Sequence, residues 1–281
     1  MATALGVLAC LALVGPAAAS PTVTACTGSL SAVTVEDLVV PAGAACSVTD
    51  VTVTDDVRVE PSATLHATDT SFEIGGEVTV ETDGEFSVIS SSSVNLGTTF
   101  TAGEGIRVES GGALVIAITN LHIGGNVVVS RAQVAALVRI PFVGSSGSVG
   151  GDVIVRETDS VAVLGLEIEG RVSIRGSGVA GLDVGSNTIA DSLSIEHNTI
   201  VGVHAFAIFA VAFNTVGRNL RVVGNDATTA SEPPFVGGNV VTNGNLACHS
   251  NVPDLINTEP DGTLDVNTVL SGHKLGQCAA L

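Results

Sequence analysis

The chain contains no tryptophan, no tyrosine and a single methionine, and all eight of its aromatic residues are phenylalanine. Sugar sites usually stack rings on Trp or Tyr, and protein interfaces anchor on the same side chains, so the usual equipment for both is missing. Positive charge is almost as scarce. Ten Lys and Arg stand against 28 Asp and Glu, giving a formal net charge of −18, and Lys274 is the sole lysine. Such a surface repels nucleic acid and anionic membranes. The preferred reading of the surplus is that it keeps the chain soluble and monomeric; the alternative is weak collection of divalent cations such as Ca2+ at the surface, and no cofactor is expected. Catalytic signatures are missing as well: no HExxH, GxSxG, Walker loop, dinucleotide-binding GxGxxG or Gly-Gly-x-Gly-x-Asp calcium nonapeptide occurs. Asn-x-Ser/Thr acceptors are also absent.

Long apolar runs are confined to the start. Leu5 to Val14 is apolar, and the helix-breaking Gly15-Pro16 and small-residue Ala17-Ala18-Ala19 follow it. This layout reads as a secretory signal peptide over residues 1–19, cleaved before Ser20, although no Lys or Arg precedes the run. No other stretch approaches the length of a membrane span. The expected location is therefore extracellular. Cys10 leaves with the signal, and the exported chain keeps Cys26, Cys46, Cys248 and Cys278, an even set suited to disulfides. Three connectivities are open, and pairing within each end is favoured because about two hundred residues of regular chain separate the two pairs.

What the chain has in abundance is one recurring unit. Gly150-Gly151-Asp152-Val153-Ile154-Val155 has copies at Gly124-Gly125-Asn126-Val127-Val128-Val129 and Glu169-Gly170-Arg171-Val172-Ser173-Ile174. Its apolar-x-apolar core recurs from Leu38/Val40 to Leu246/Cys248 at intervals of 19 to 28 residues. That period marks a solenoid, and insertions fall in only some repeats. Val, Ile and Thr alternate with a period of two and are bounded by Gly, Asn, Asp and Ser, which favours strands over helices. The paired glycines precede a strand instead of opening a helix, which disfavours phosphate binding. Each repeat also holds a second apolar stretch, such as Ala113-Leu114-Val115-Ile116, so it makes at least two strands.

Stacking these coils gives an all-β, right-handed parallel β-helix (β-solenoid) of about ten coils and roughly 50 Å length, capped at both ends. One domain is expected over residues 20–281, with residues 20–50 as N-terminal cap and residues 246–281 as C-terminal cap. Open strand edges invite pairing with other chains, and the cysteines stand where caps are needed. Phe206, Phe209 and Phe213 are expected to pack in the core, and Asp226 to Phe235, with Pro233-Pro234, to bulge as a loop. Asn187, Asn198, Asn214 and Asn225 are expected to form corner ladders in left-handed backbone conformations.

Projecting the repeat outward gives the columns Glu60, Glu81, Glu109, Ser130, Arg156, Arg175, Glu196 and Arg58, Thr79, Arg107, Val128, Ile154, Ser173, Ser194, Arg221. The candidate surface cluster is Arg156, Glu157, Arg175, Glu196 and His197. A polysaccharide lyase of the pectate-lyase kind would need carboxylates holding calcium beside an Arg or Lys base on such a face, and Asp159, Glu167 and Glu169 could join that picture. Solvated face charge accounts for the same residues without chemistry. No catalytic residue and no metal ligand is assigned.

The closing stretch Gly244-Asn245-Leu246-Ala247-Cys248 through Asn251 and Pro253 to Gly272-His273-Lys274-Leu275-Gly276-Gln277-Cys278 resembles the ending of uncharacterised secreted β-helix repeat proteins of actinobacterial type. Ala25-Cys26-Thr27-Gly28 with Val40-Pro41-Ala42-Gly43-Ala44-Ala45-Cys46 is similar to their beginning. The resemblance implies an exported right-handed β-helix and supplies no activity. The expected function is that of an exported structural or interaction protein with an extracellular or cell-envelope partner. The alternatives are a polysaccharide-active lyase or hydrolase, and a calcium-dependent adhesive module.

Overall fold

Alternation decides which way each side chain points. In Val57–Val59, Val78–Val80 and Ile106–Val108 the flanking residues are at most 1% exposed, while the middle residue lies on the outside. These strands stack in parallel and in register, with Val78 opposite both Val57 and Ile106. Branched inward residues therefore meet their own kind in the next coil, which suits the pleated, half-buried surface. The computed structural model describes residues 22–91, 98–141, 145–201, 208–258 and 262–281.

Three long parallel sheets result, here called A, B and C, with 12, 10 and 11 strands. Through most of the chain successive strands pass from A to B to C and back to A, with the short strands Gly178–Val179 and Thr199–Ile200 pairing apart between A and B and the last coil giving no rung to B, so the molecule is a parallel β-helix. The unit Gly150 to Val155 supplies the corner from C to A and the sheet A strand Val153–Arg156. Sheet A has two rungs more than the apolar-x-apolar pattern shows. Val23–Ala25 and Lys274–Gly276 extend it at the two ends. Residues 22–53 are built as coils too, their strands being the first members of all three sheets. The signal segment 1–19, Phe206 and His204 lie outside the described residues.

The interior tube is filled by Val, Ile and Leu, with one aromatic layer. Phe72, Phe86 and Phe100 are fully buried, and their ring centroids are 5.6 to 6.2 Å apart. Phe209 joins the core at 2% exposed. Phe213 does not; it is 48% exposed, because it occupies a left-handed corner position (φ 57°) that turns the side chain out over Gly238. Asp226 and Phe235 are still held by the ladder on either side of the irregular stretch that contains Pro233-Pro234.

The corners carry polar ladders. At the corner from B to C, the side-chain oxygen of Asn214 accepts hydrogen bonds from the backbone and side-chain N–H groups of Asn187, at 3.2 and 3.0 Å. Asn239 and Asn267 repeat the arrangement. At the corner from A to B the same chain runs through Asn198, Asn225 and Asn251 and ends on Gln277. All the asparagines in both ladders are buried. The left-handed residue is the one before the asparagine: His197, Gly224 and Ser250 in one ladder, Ser186, Phe213 and Gly238 in the other. That residue makes the bend, and the next side chain then points into the tube.

The corner from C to A uses exposed side chains for the same purpose. The Oδ1 atoms of Asp56, Asn126, Asp152, Asn219 and Asn245 each accept a backbone N–H one coil further on. Coils approach most closely here. A Cβ placed on Gly103 or Gly124 would lie 2.0 Å from the carbonyl oxygen of the preceding coil, so only glycine fits.

Both cysteine pairs lie at disulfide distance, Cys26 with Cys46 (Cα–Cα 5.6 Å) and Cys248 with Cys278 (5.0 Å). Cys278 is fully buried in the short 3₁₀ turn Gln277–Ala280, which packs against the strand Leu246–His249. Selective reduction of Cys248–Cys278 should raise hydrogen exchange in residues 246–281 and leave the sheets before Asn187 unchanged; uniform protection after reduction would contradict this. Replacing Asn225 by Ala orphans the buried Asn198 backbone N–H and the side-chain N–H of the same residue, both of which donate to the Asn225 oxygen. Guanidinium melts should show a loss of about 3 kcal/mol or more, at roughly 1–3 kcal/mol for each stranded polar group. The exposed Asn219→Ala should cost well under half of that.

Candidate functional site

Register brings the five candidate residues together over three coils of one face. Arg156, Arg175 and Glu196 are successive neighbours on sheet A, and Glu157 and His197 follow at the left-handed corner, with Gly176 between them. Proximity does not make a catalytic set. Glu196 is engaged from the other side: Arg221 Nε lies 3.1 Å from its carboxylate and Ser194 donates to it at 2.7 Å. The His197 ring leans over Gly224 of the following coil, away from Glu157; a Cβ on Gly224 would meet its Nδ1 at 2.5 Å. Arg156 and Arg175 are exposed like charges side by side, and neither has an ion-pair partner among the described residues. Glu167 lies on sheet C and Glu169 just beyond it, near the corner from C to A, so they do not converge on this patch.

Other charges are likewise paired between coils. Glu81, which stands beside Glu109 in sequence projection, is held by Arg58 at 2.6 Å. Arg107 pairs with Glu77, Arg171 with Asp152 and Arg218 with Asp191. All of these involve exposed arginines, and exposed pairs contribute little each, on the order of 0–1 kcal/mol.

Three further features stand out, the third of them where the sequence departs from its repeat, at Ala205 to Phe213 and Asp226 to Phe235. The first is an acidic knot at the corner from C to A in the early coils, where carboxylate oxygens of Asp37, Asp55 and Asp56 lie within 4.8 Å of one another. Asp56 repels the Asp55 carboxylate, which burial, Asp37 and Glu36 further disfavour, so its pKa is raised above the usual range. These are the residues that could hold a divalent cation through oxygen ligands. The dipeptide Asp55-Asp56, 19 residues after Glu36-Asp37, was the visible signal. The second is a polar cavity of 320 Å3 over sheet A, lined among others by Arg107, Glu109, Ser130 and Arg131. The third is an apolar cavity of 290 Å3 beside sheet B, lined by Ile208, Phe209, Pro233, Phe235 and Ile256, with Glu232 as its one carboxylate.

Asp183 faces outward from sheet B, half-buried between Ala162 and Ala210. Burial raises its pKa. For both Asp55 and Asp183 the folded state holds a proton more tightly than the unfolded chain. Each therefore lowers stability as pH rises from the unfolded value through the raised folded one. Asp55→Asn and Asp183→Asn should both raise the melting temperature at pH 7, and both advantages should vanish below the ordinary aspartate value of 3.8. Salt separates the causes: the Asp55 advantage should shrink with added NaCl because repulsion is screened, and the Asp183 advantage should persist because desolvation is not. Equal salt responses would overturn the assignment of causes.

Compared with protein-family models, curated proteins and solved structures, the chain shows no match, so its function is read from its own side chains.

Proposed function

We propose that this chain is an exported structural or interaction protein of the cell exterior, a rod whose surface is its working part. The observation that carries the reading is how the polar side chains are used. At all three corners they hydrogen-bond from coil to coil, and on sheet A Arg58, Arg107, Glu196 and Arg221 close ion pairs between coils. Groups committed to neighbours in this way serve the stack and are not free to move protons or hold a substrate. Export is supported by the leader-like start, by the two cysteine pairs and by the resemblance of both chain ends to secreted repeat proteins. No helix among the described residues is long and apolar enough to cross a membrane. Calcium, if it adds anything, would bind weakly at Asp37, Asp55 and Asp56.

The second reading, a polysaccharide-active enzyme, is favoured by the cavity at Arg107, Glu109 and Arg131, where cationic groups and a carboxylate share a polar hollow. Incubation of the purified exported chain with a panel of neutral and acidic polysaccharides, with and without calcium, separates the two. The expected result is no rise in reducing ends and no unsaturated product. Turnover that is lost in Arg131→Ala would replace the structural reading by the enzymatic one.

A further inference from the structure

The outward faces of the sheets differ in kind. Sheet A carries the exposed arginines Arg58, Arg107 and Arg221. Sheet B changes character along the rod. Its early rungs present polar residues such as Ser47, His66 and Glu85, and from Ala113–Ile118 to Phe235–Gly237 the outward positions turn apolar. The central column there runs in register through Val115, Ala136, Ala162, Asp183, Ala210 and Phe235, all of them half-buried. Asp183 is the single charge in this central column; Arg139, at the end of Val134–Arg139, and Glu232, beside Phe235, stand at its margins. In a chain with 28 acidic residues, exclusion of charge from one face along half the rod calls for a reason.

We propose that this apolar half of the sheet B face is a contact surface through which two copies of the chain associate. The proposal deepens the reading of the protein as an interaction rod and rests on it. The occupant is argued from periodicity. Small side chains stand on rungs repeated every ~4.8 Å, and a surface with the same repeat can interdigitate with them along the whole strip, as paired sheets do in steric zippers. A second copy supplies that repeat; a globular partner would touch only part of it. Phe235, at the last rung, is the one aromatic in the column; the other five members are a valine, three alanines and Asp183.

Area sets the strength. Six rungs of about 4.8 Å by roughly 15 Å of strand make a strip on the order of 450 Å2 per copy. That lies within the range of about 300–600 Å2 for the largest patch on a monomer, and two such faces bury about 900 Å2, below a standard stable interface. The association is therefore weak and concentration-dependent. The net charge of −18 opposes it, but face-to-face packing of sheet B leaves the charged sheet A outside. Asp183 is already partly desolvated within one copy, so covering it costs less than covering an exposed acid.

Sedimentation velocity of the exported chain, from about 1 μM to about 300 μM, tests the proposal over the range expected for weak association. The mass should climb toward that of a dimer, and more readily in high salt. Ala136→Glu with Ala162→Glu, both at outward positions, should keep the melting temperature within a few degrees and weaken association at least tenfold. Thr79→Glu with Ser173→Glu on sheet A should leave it intact. A monomer at every concentration overturns the proposal, whether or not the face then takes up zwitterionic lipid vesicles; so does equal loss in the two double variants. Turnover of a polysaccharide with dimerisation intact would instead overturn the structural reading of the rod and leave this contact standing.

Discussion

Apart from a few tight turns, the backbone donors and acceptors of this rod find their partners one coil away. A flat strand achieves this by itself, since in-register stacking hands each N–H to the carbonyl of the neighbouring rung. A corner does not, because the chain bends there and its peptide groups leave the ladder plane. The buried asparagines meet that difficulty. Each Oδ1 takes the N–H groups of one neighbouring coil, and each Nδ2 also reaches a backbone carbonyl, as Asn225 does to Ile195. An unpaired buried amide costs on the order of 1–3 kcal/mol, which explains why the corner residue is so narrowly chosen when the strands tolerate any mixture of Val, Ile and Leu.

The chain answers the corner problem differently along its length. In the middle coils the corner from B to C pairs the hydroxyls of Thr98 and Thr119, and from Asn187 onward both buried corners use asparagine. Hydroxyls offer one donor where an amide offers two. The half laddered by asparagine is the one that the Cys248–Cys278 pair closes.

Sheets A and B were legible in the sequence because alternation of two is unmistakable over three or more residues: Val57-Arg58-Val59 announces its own inside and outside. Sheet C was not, since rungs such as Glu167–Ile168 and Thr188–Ile189 are two residues long and show no period. The end rungs escaped for a related reason; Lys274-Leu275-Gly276 carries no apolar pair. Among the candidate residues, register correctly joined Arg156, Arg175 and Glu196, but spacing could not say that Arg221 and Ser194 already hold Glu196, or that the His197 ring leans away from Glu157. Side-chain direction at a left-handed corner depends on a backbone angle, and composition does not encode it locally. Phe213 was placed in the core for want of that angle.

The asparagine ladders are self-similar: every rung asks of the next what the previous rung asked of it. Only Gln277 differs, turning its Nε2 back to the carbonyl of Asn251 and to Asp254 and so closing the series. A gene that gained or lost one whole coil between such rungs would join asparagine to asparagine and leave the chemistry of the stack unaltered. Rod length is therefore quantised and free to drift, while the terminating residues are not, and diversification of this architecture would proceed by adding or removing whole coils.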